Sequence, residues 1–268
     1  MKDRDWTSQY YDTAEFYYWE PQHLGKIKNP KSRYNNQQDV LDHIQNMEVS
    51  LNHMFNVFFR IVPSQFINTL LNETCNINTD SIIRTDVQDN FYMQGRYDVL
   101  KFSKLVQPDL LFTSEITNFS IEMKIGAKSS LEQVYKYALL HWLEEKHTGI
   151  KKESVLLYMG VKEEFSSLWS EKFSNPYEAI QAALELDIDN LKIRASKTES
   201  IQINWSEVKD ILKRTTISYC SYPTFCTMLN VQSQRMQSEA SSLECKEMTR
   251  NLFDGMWSEL SRRGLSES

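Results

Sequence analysis

The residues best equipped for chemistry fall in one stretch: Pro108-Asp109, then Glu122-Met123-Lys124, then Gln133 and Tyr137. Residues 119–125, FSIEMKI, alternate apolar and polar side chains in the manner of a β-strand. Alternate residues of a strand share a face. Ser120, Glu122 and Lys124 therefore project from one side, and Phe119, Ile121, Met123 and Ile125 from the other. Residues 108–115, PDLLFTSE, read as the strand before it. If the two form a hairpin with Asp109 opposite Glu122, Thr113 falls opposite Asn118 and residues 114–117 make a four-residue loop, an allowed hairpin length. Cross-strand partners hold their Cβ atoms about 5 Å apart, which lets Asp109, Glu122 and Lys124 converge. Two carboxylates that close repel each other unless a cation sits between them. Oxygen donors select hard cations, Mg2+ or Mn2+. Such an ion lowers the pKa of a bound water and stabilises in-line displacement at phosphorus. The Lys124 ammonium beside it would hold the attacking water or neutralise developing charge.

The elements that must position these groups follow from hydrophobic spacing. Residues 1–37 are aromatic and polar and read as an extension that packs through Tyr17, Tyr18 and Trp19. From Asp39 to Val62, the residues Met47, Leu51, Met54, Phe55, Phe58 and Val62 make one helical stripe. Pro63 ends or kinks that helix, and a second helix is expected over 65–72. Residues 82–95 read as a strand with a polar interruption, ahead of the two strands above. A long helix is expected over about 129–147, stopped by Gly149. SVLLYMGV, 154–161, suits a buried strand. Helices at 176–190 and 205–214, a short strand at 201–204 and a polar helical tail from about 232 complete the reading. The order α-β-β-β-α-β, with helices flanking a mostly contiguous sheet, makes an α/β protein. The expected organisation is an extension at 1–37, an α/β domain at 38–215 and a helical extension at 216–268. The start of the long helix allows two capping boxes, Ser130-Leu-Glu-Gln133 and Ser129-Ser-Leu-Glu132. The first would turn the Gln133 side chain back to the cap; the second leaves it free.

The string P-D, twelve residues, E-M-K resembles the PD-(D/E)xK nuclease superfamily, with Asp109, Glu122 and Lys124 at its signature positions. Gln133-Val-Tyr-Lys-Tyr137 is similar to the Q-x-x-x-Y element of the RecB-like branch. The match covers about 48–160, under half the chain. It implies a restriction-endonuclease-like αβββαβ core and a Mg2+- or Mn2+-dependent nuclease acting on nucleic acid, DNA rather than RNA. By the same resemblance Asp109 and Glu122 bind the metal, with the Met123 carbonyl as an added ligand. Lys124 assists the attacking water, and Gln133 and Tyr137 orient the site or contact the scissile-strand phosphate. Glu48, in the first long helix, is similar to an acid that members often supply from there. Gly95-Arg96-Tyr97-Asp98 offers Asp98 as an alternative first acid, although it lies 24 residues before Glu122. Such folds recur in restriction, repair and anti-phage defence. Members that have lost catalysis imply a second expectation, an inactive adaptor that binds nucleic acid or a partner protein. The terminal extensions are the segments that would carry a partner or homodimer contact.

Composition narrows the field further. The chain has 268 residues, ample for a core that needs no disulfide or structural metal. Its seven glycines are never closer than nine positions, which excludes a P-loop and a dinucleotide fingerprint. The four cysteines include no C-x-x-C, and the five histidines form no metalloprotease motif. They read as reduced thiols and scattered imidazoles. The opening MKDRDWTSQYYD is charged and polar, unlike a signal peptide, and no apolar run approaches a membrane span. A cytoplasmic protein without membrane contact is the expectation. Formal charge is −6, which argues against non-specific coating of nucleic acid. Resolved by segment, however, residues 101–152 are net +2 and residues 153–212 net −5. Lys128 reads either as a phosphate contact or as an exposed loop lysine. The aromatic cluster at 10–19 reads either as a packing surface or as a base-stacking platform.

Overall fold

The computed structural model describes residues 5–18, 36–46, 48–76, 102–103, 108–114, 116–170, 173–187, 194–195 and 203–267. They form two units, one made of residues up to 58 together with 222–268, the other of residues 59–221.

The second unit carries an α/β sheet. Its four strands are β2 (Leu110–Thr113), β3 (Thr117–Met123), β4 (Glu153–Gly160) and β6 (Thr215–Ser221), in the spatial order β2-β3-β4-β6. β2 and β3 form an antiparallel hairpin, while β3, β4 and β6 run parallel. Helices α4 (Ser64–Cys75), α5 (Leu131–Thr148), α6 (Pro176–Leu184) and α7 (Trp205–Arg214) flank it. A separate pair, β1 (Phe102–Ser103) with β5 (Arg194–Ala195), is antiparallel.

Side-chain parity decides which helix covers which face. Leu156 and Tyr158 of β4 and Ile217 of β6 share a core with Leu139, Leu140 and Leu143 of α5, Ile180 of α6 and Val208 of α7. On the opposite face Phe112 and Phe119 stack at 5.4 Å, and Phe59 joins Phe112 to Phe66 of α4. Every residue of β3 is buried, so β3 is a central strand covered on both sides and not a solvent-facing edge.

The hairpin register matches the sequence pattern: Thr113 pairs with Asn118 and Leu110 with Ile121. Helix α5 is capped by the Ser130 side chain, which accepts the Gln133 N–H at 3.2 Å. It ends at Gly149, whose φ of 71° lets its N–H reach the Glu145 carbonyl at 2.8 Å. Helix α7 matches its anticipated bounds, with Asn204 as its cap.

Several expectations need correction. The stripe from Asp39 to Val62 is two helices, α2 (Gln37–Asn46) and α3 (Glu48–Ile61). Of the short strand expected over 201–204, Ile203 and Asn204 lie outside any strand, because Asn204 serves as a helix cap, and residues 201–202 lie outside the described residues. Strand β6 was not anticipated, since α7 runs into it with no turn residue between them. The strand expected over 82–95 lies outside the described residues.

The first unit joins both ends of the chain, with α1 (Trp6–Tyr18), α2, most of α3, α8 (Tyr222–Glu239) and α9 (Leu243–Arg262). The tail thus begins as helix at Tyr222, and it buries Phe225, Leu229, Phe253, Met256 and Leu260 rather than being polar throughout. A buried ionic cluster fastens α1 to α9. Glu259, 0% exposed, accepts bonds from Tyr11 (2.5 Å), Arg262 (2.6 Å) and Arg263 (2.5 Å). Burial and the Glu259 charge hold the Tyr11 phenol far above its ordinary pKa, so it stays a donor. The described packing of α1 comes from Trp6, which donates to the Leu252 carbonyl at 3.1 Å, and from Tyr11. The side chains of Tyr17 and Tyr18, and all of Trp19, lie outside the described residues.

In the second unit His141 of α5 ties three elements together. Its Nε2 lies 2.8 Å from Ser120 Oγ of β3 and its Nδ1 2.5 Å from Ser154 Oγ of β4. Ser154 in turn accepts from Thr215 Oγ1 at 2.8 Å. Burial first, then the Arg214 and Lys152 charges, lower the His141 pKa to about 3. A histidine kept neutral in the fold contributes stability that is complete above its unfolded pKa of about 6.5 and is lost as pH falls below it. Between pH 7 and pH 5, above most carboxylate titrations, wild type should lose about 2 kcal/mol more than His141→Gln. Urea unfolding of both proteins at the two pH values checks this. Identical pH dependence would show that the ring is not held neutral.

Candidate active site

The carboxyl end of β3 places Glu122 under α5. Glu122 is 6% exposed, and a buried carboxylate needs donors. It has three. Lys124, two residues on along the same face of the chain, gives its Nζ to Oε1 at 2.7 Å. Gln133 Nε2 donates to the same oxygen at 2.5 Å. Tyr137 donates its hydroxyl to Oε2. Residues four apart on a helix share a face, which is why Gln133 and Tyr137 reach one carboxylate.

Asp109 arrives from the other strand. Continued by one residue, the β2–β3 register sets it against Glu122. Its Oδ2 accepts the Met123 N–H at 2.7 Å, which fixes the carboxylate at the end of β3. Tyr137 senses both acids: burial first, then the Glu122 and Asp109 charges, hold its pKa well above the ordinary phenol value. It therefore remains a donor throughout the physiological range.

A further shell was not legible in the sequence. Ser129 Oγ donates to Gln133 Oε1 at 3.3 Å and lies 3.0 Å from the Tyr158 hydroxyl. Ser129 fixes which way the Gln133 amide points, oxygen to the serine and nitrogen to Glu122. Tyr158 is the β4 residue in register with Glu122. Its phenol is held far above its ordinary value by burial, eased by the Ser129 bond and reinforced by the Glu122 charge. Only the parallel β3–β4 pairing brings it here, and no local pattern announces that pairing. The two capping alternatives also resolve: Ser130 is the cap, yet Gln133 contributes its backbone N–H there and its side chain to Glu122.

Of the residues singled out from sequence, Asp109, Glu122, Lys124, Gln133 and Tyr137 meet at this point, and Met123 bonds Asp109 through its N–H. Glu48 opens α3 and belongs to the other unit. Asp98 lies outside the described residues. Lys128 is exposed and donates to the Ser167 carbonyl.

Among the described residues no group of three or more His, Cys, Asp or Glu is arranged to hold a metal ion. The donors on offer are two carboxylates and the Met123 carbonyl. A carboxylate offers about four lone-pair positions, and the three donors on Glu122 leave room for one more partner. This all-oxygen set suits a hard cation that keeps much of its own water.

No family model, curated protein or solved structure matches the chain. Among the described residues no helix is long and apolar enough to cross a membrane.

The Tyr137 bond can be weighed directly. Replacing Tyr137 by Phe leaves a buried carboxylate one donor short, at a cost of about 1.5–3 kcal/mol. In a Glu122→Gln background the same change should cost clearly less, since the charge it served is gone. Denaturant unfolding of the four proteins without divalent metal gives both numbers. Equal costs in the two backgrounds would show that the phenol does not serve Glu122.

Proposed function

We propose that the protein is a metal-dependent nuclease that hydrolyses phosphodiester bonds, in DNA rather than RNA, on a restriction-endonuclease-like core. The observation that carries this reading is the Glu122 carboxylate, held by Lys124, Gln133 and Tyr137 beside Asp109 at the carboxyl end of a central strand. The antiparallel hairpin followed by helix and parallel strand is compatible with such a core.

Asp109 and Glu122, with the Met123 carbonyl, would hold Mg2+ or Mn2+, which supplies Lewis acidity toward a phosphoryl oxygen and a more acidic bound water. The remaining work belongs to the chain. Gln133 and Tyr137 each donate to a different oxygen of Glu122 and so fix the plane of its carboxylate. They act as positioning residues. Lys124 is 13% exposed and sits on Oε1 of Glu122, where its charge can orient an attacking water or offset negative charge on the phosphoryl oxygens. Asp109 is oriented by the strand itself through the Met123 N–H.

The rival adaptor reading keeps the fold and the acids but predicts no turnover. With Mg2+ or Mn2+, wild type should cut plasmid or single-stranded DNA. Asp109→Ala and Lys124→Ala should each lower the rate by about 10²-fold or more. Equal cleavage by all three proteins, or none by wild type with its fold intact, would contradict the proposal.

A further inference from the structure

A cleft of about 240 Å³ opens just beyond the carboxyl ends of β3 and β4. In open α/β sheets this is where ligands bind. Its lining includes three lysines, Lys124, Lys128 and Lys162, and no acidic residue. Lys124 is the residue that holds Glu122, so the cleft is continuous with the candidate active site.

The cleft is built, not incidental. The Lys124 N–H donates to the Met159 carbonyl at 2.8 Å and the Ser129 N–H to the Leu168 carbonyl at 2.7 Å, which join its two walls. The Tyr219 hydroxyl donates to the Lys162 carbonyl and pins the turn that presents Lys162. That phenol fits only because residue 160 is glycine, since a Cβ there would lie 2.6 Å from it. Between the walls, Gly126 and Ala127 are exposed, and a Cβ added at Gly126 would meet nothing within 4 Å.

The cations are available. Lys128 spends one of its three donors on the Ser167 carbonyl. Lys162 is exposed and, among the described residues, has no carboxylate partner. Its neighbour Glu163 accepts from Ser221 Oγ at 2.8 Å.

Resting on the nuclease reading, we infer that this cleft seats the nucleic-acid strand, with Lys128 and Lys162 holding the backbone phosphates next to the one presented to Glu122 and Lys124. The two lysines act by charge, so they set affinity and its salt dependence and not base preference.

The test is binding of a labelled single-stranded DNA oligonucleotide, with Ca2+ in place of Mg2+, across a salt series. Wild type, Lys128→Ala, Lys162→Ala, the double variant and Lys213→Ala are compared. Lys213 is exposed on α7 and pairs with Asp210, and it controls for loss of charge in general. Each cleft lysine removed should reduce the slope of log affinity against log salt by about 0.7, and the double variant by about 1.4, with Lys213→Ala unchanged. A double-variant slope equal to wild type, in a protein whose wild type binds and cleaves DNA, overturns this inference and leaves the nuclease reading standing. A slope lowered equally by Lys213→Ala overturns it as well. A wild type that neither binds nor cleaves overturns both.

Discussion

A carboxylate buried at the end of a central strand is the constraint from which the rest of the site follows. Glu122 could point to water only if the helix over its face of β3 were absent, and α5 covers that face. Left without donors, a buried ion of this kind would be costly. The chain meets that demand from three directions: Lys124 on its own strand, Gln133 and Tyr137 on α5. The two donors from α5 are themselves fixed, Gln133 by Ser129 and Tyr137 by full burial. The arrangement that satisfies the charge is the same arrangement that would orient it toward a metal and a phosphate.

The way α5 lies on the sheet makes this possible through a match of repeats. Four residues of helix rise about 6 Å, and two residues of strand rise about 6.6 Å. Stepping along α5 by four gives Gln133, Tyr137 and His141. Stepping back along β3 by two gives Glu122 and Ser120. The first two helix residues meet Glu122, and His141 meets Ser120. A single polar line thus runs under one helix face, with the charged end at the carboxyl edge of the sheet and the neutral end near its middle. Neighbours on the same helix, Leu139, Leu140 and Leu143, bury apolar surface beside that line, each contributing on the order of 1.5–3 kcal/mol. Packing therefore holds the helix in place, and the polar line fixes its register. The same carboxyl edge carries the lysine-lined cleft, at the ends of the parallel strands β3 and β4.

Much of this was legible in the sequence because it is local. The alternation in FSIEMKI and the length of the loop before it set the hairpin register, and that register alone brings Asp109 to Glu122. The serine cap and Gly149 bounded α5, and its four-residue spacing put Gln133 and Tyr137 together. What escaped was non-local. Strand β6 hides behind α7 because a helix that runs into a strand leaves no turn signal. Tyr158 sits in a uniformly apolar run, where period gives no face, and only its partner strand assigns it to the site. His141 looked like a scattered histidine until Ser120 and Ser154 closed on it from two strands. The ionic cluster that fastens the first helix to the last joins residues some 250 positions apart, far beyond any pattern along the chain.

The central claim is that Asp109 and Glu122 together form one divalent-metal site. Isothermal titration of the protein with Mn2+ tests it most directly, using wild type, Asp109→Asn and Glu122→Gln, each shown to be folded by circular dichroism. The account predicts saturable Mn2+ binding by wild type that is abolished or weakened by at least about tenfold in each variant, as expected when one of two anionic ligands is lost. Binding of equal strength in all three proteins, or no binding by folded wild type, would contradict it.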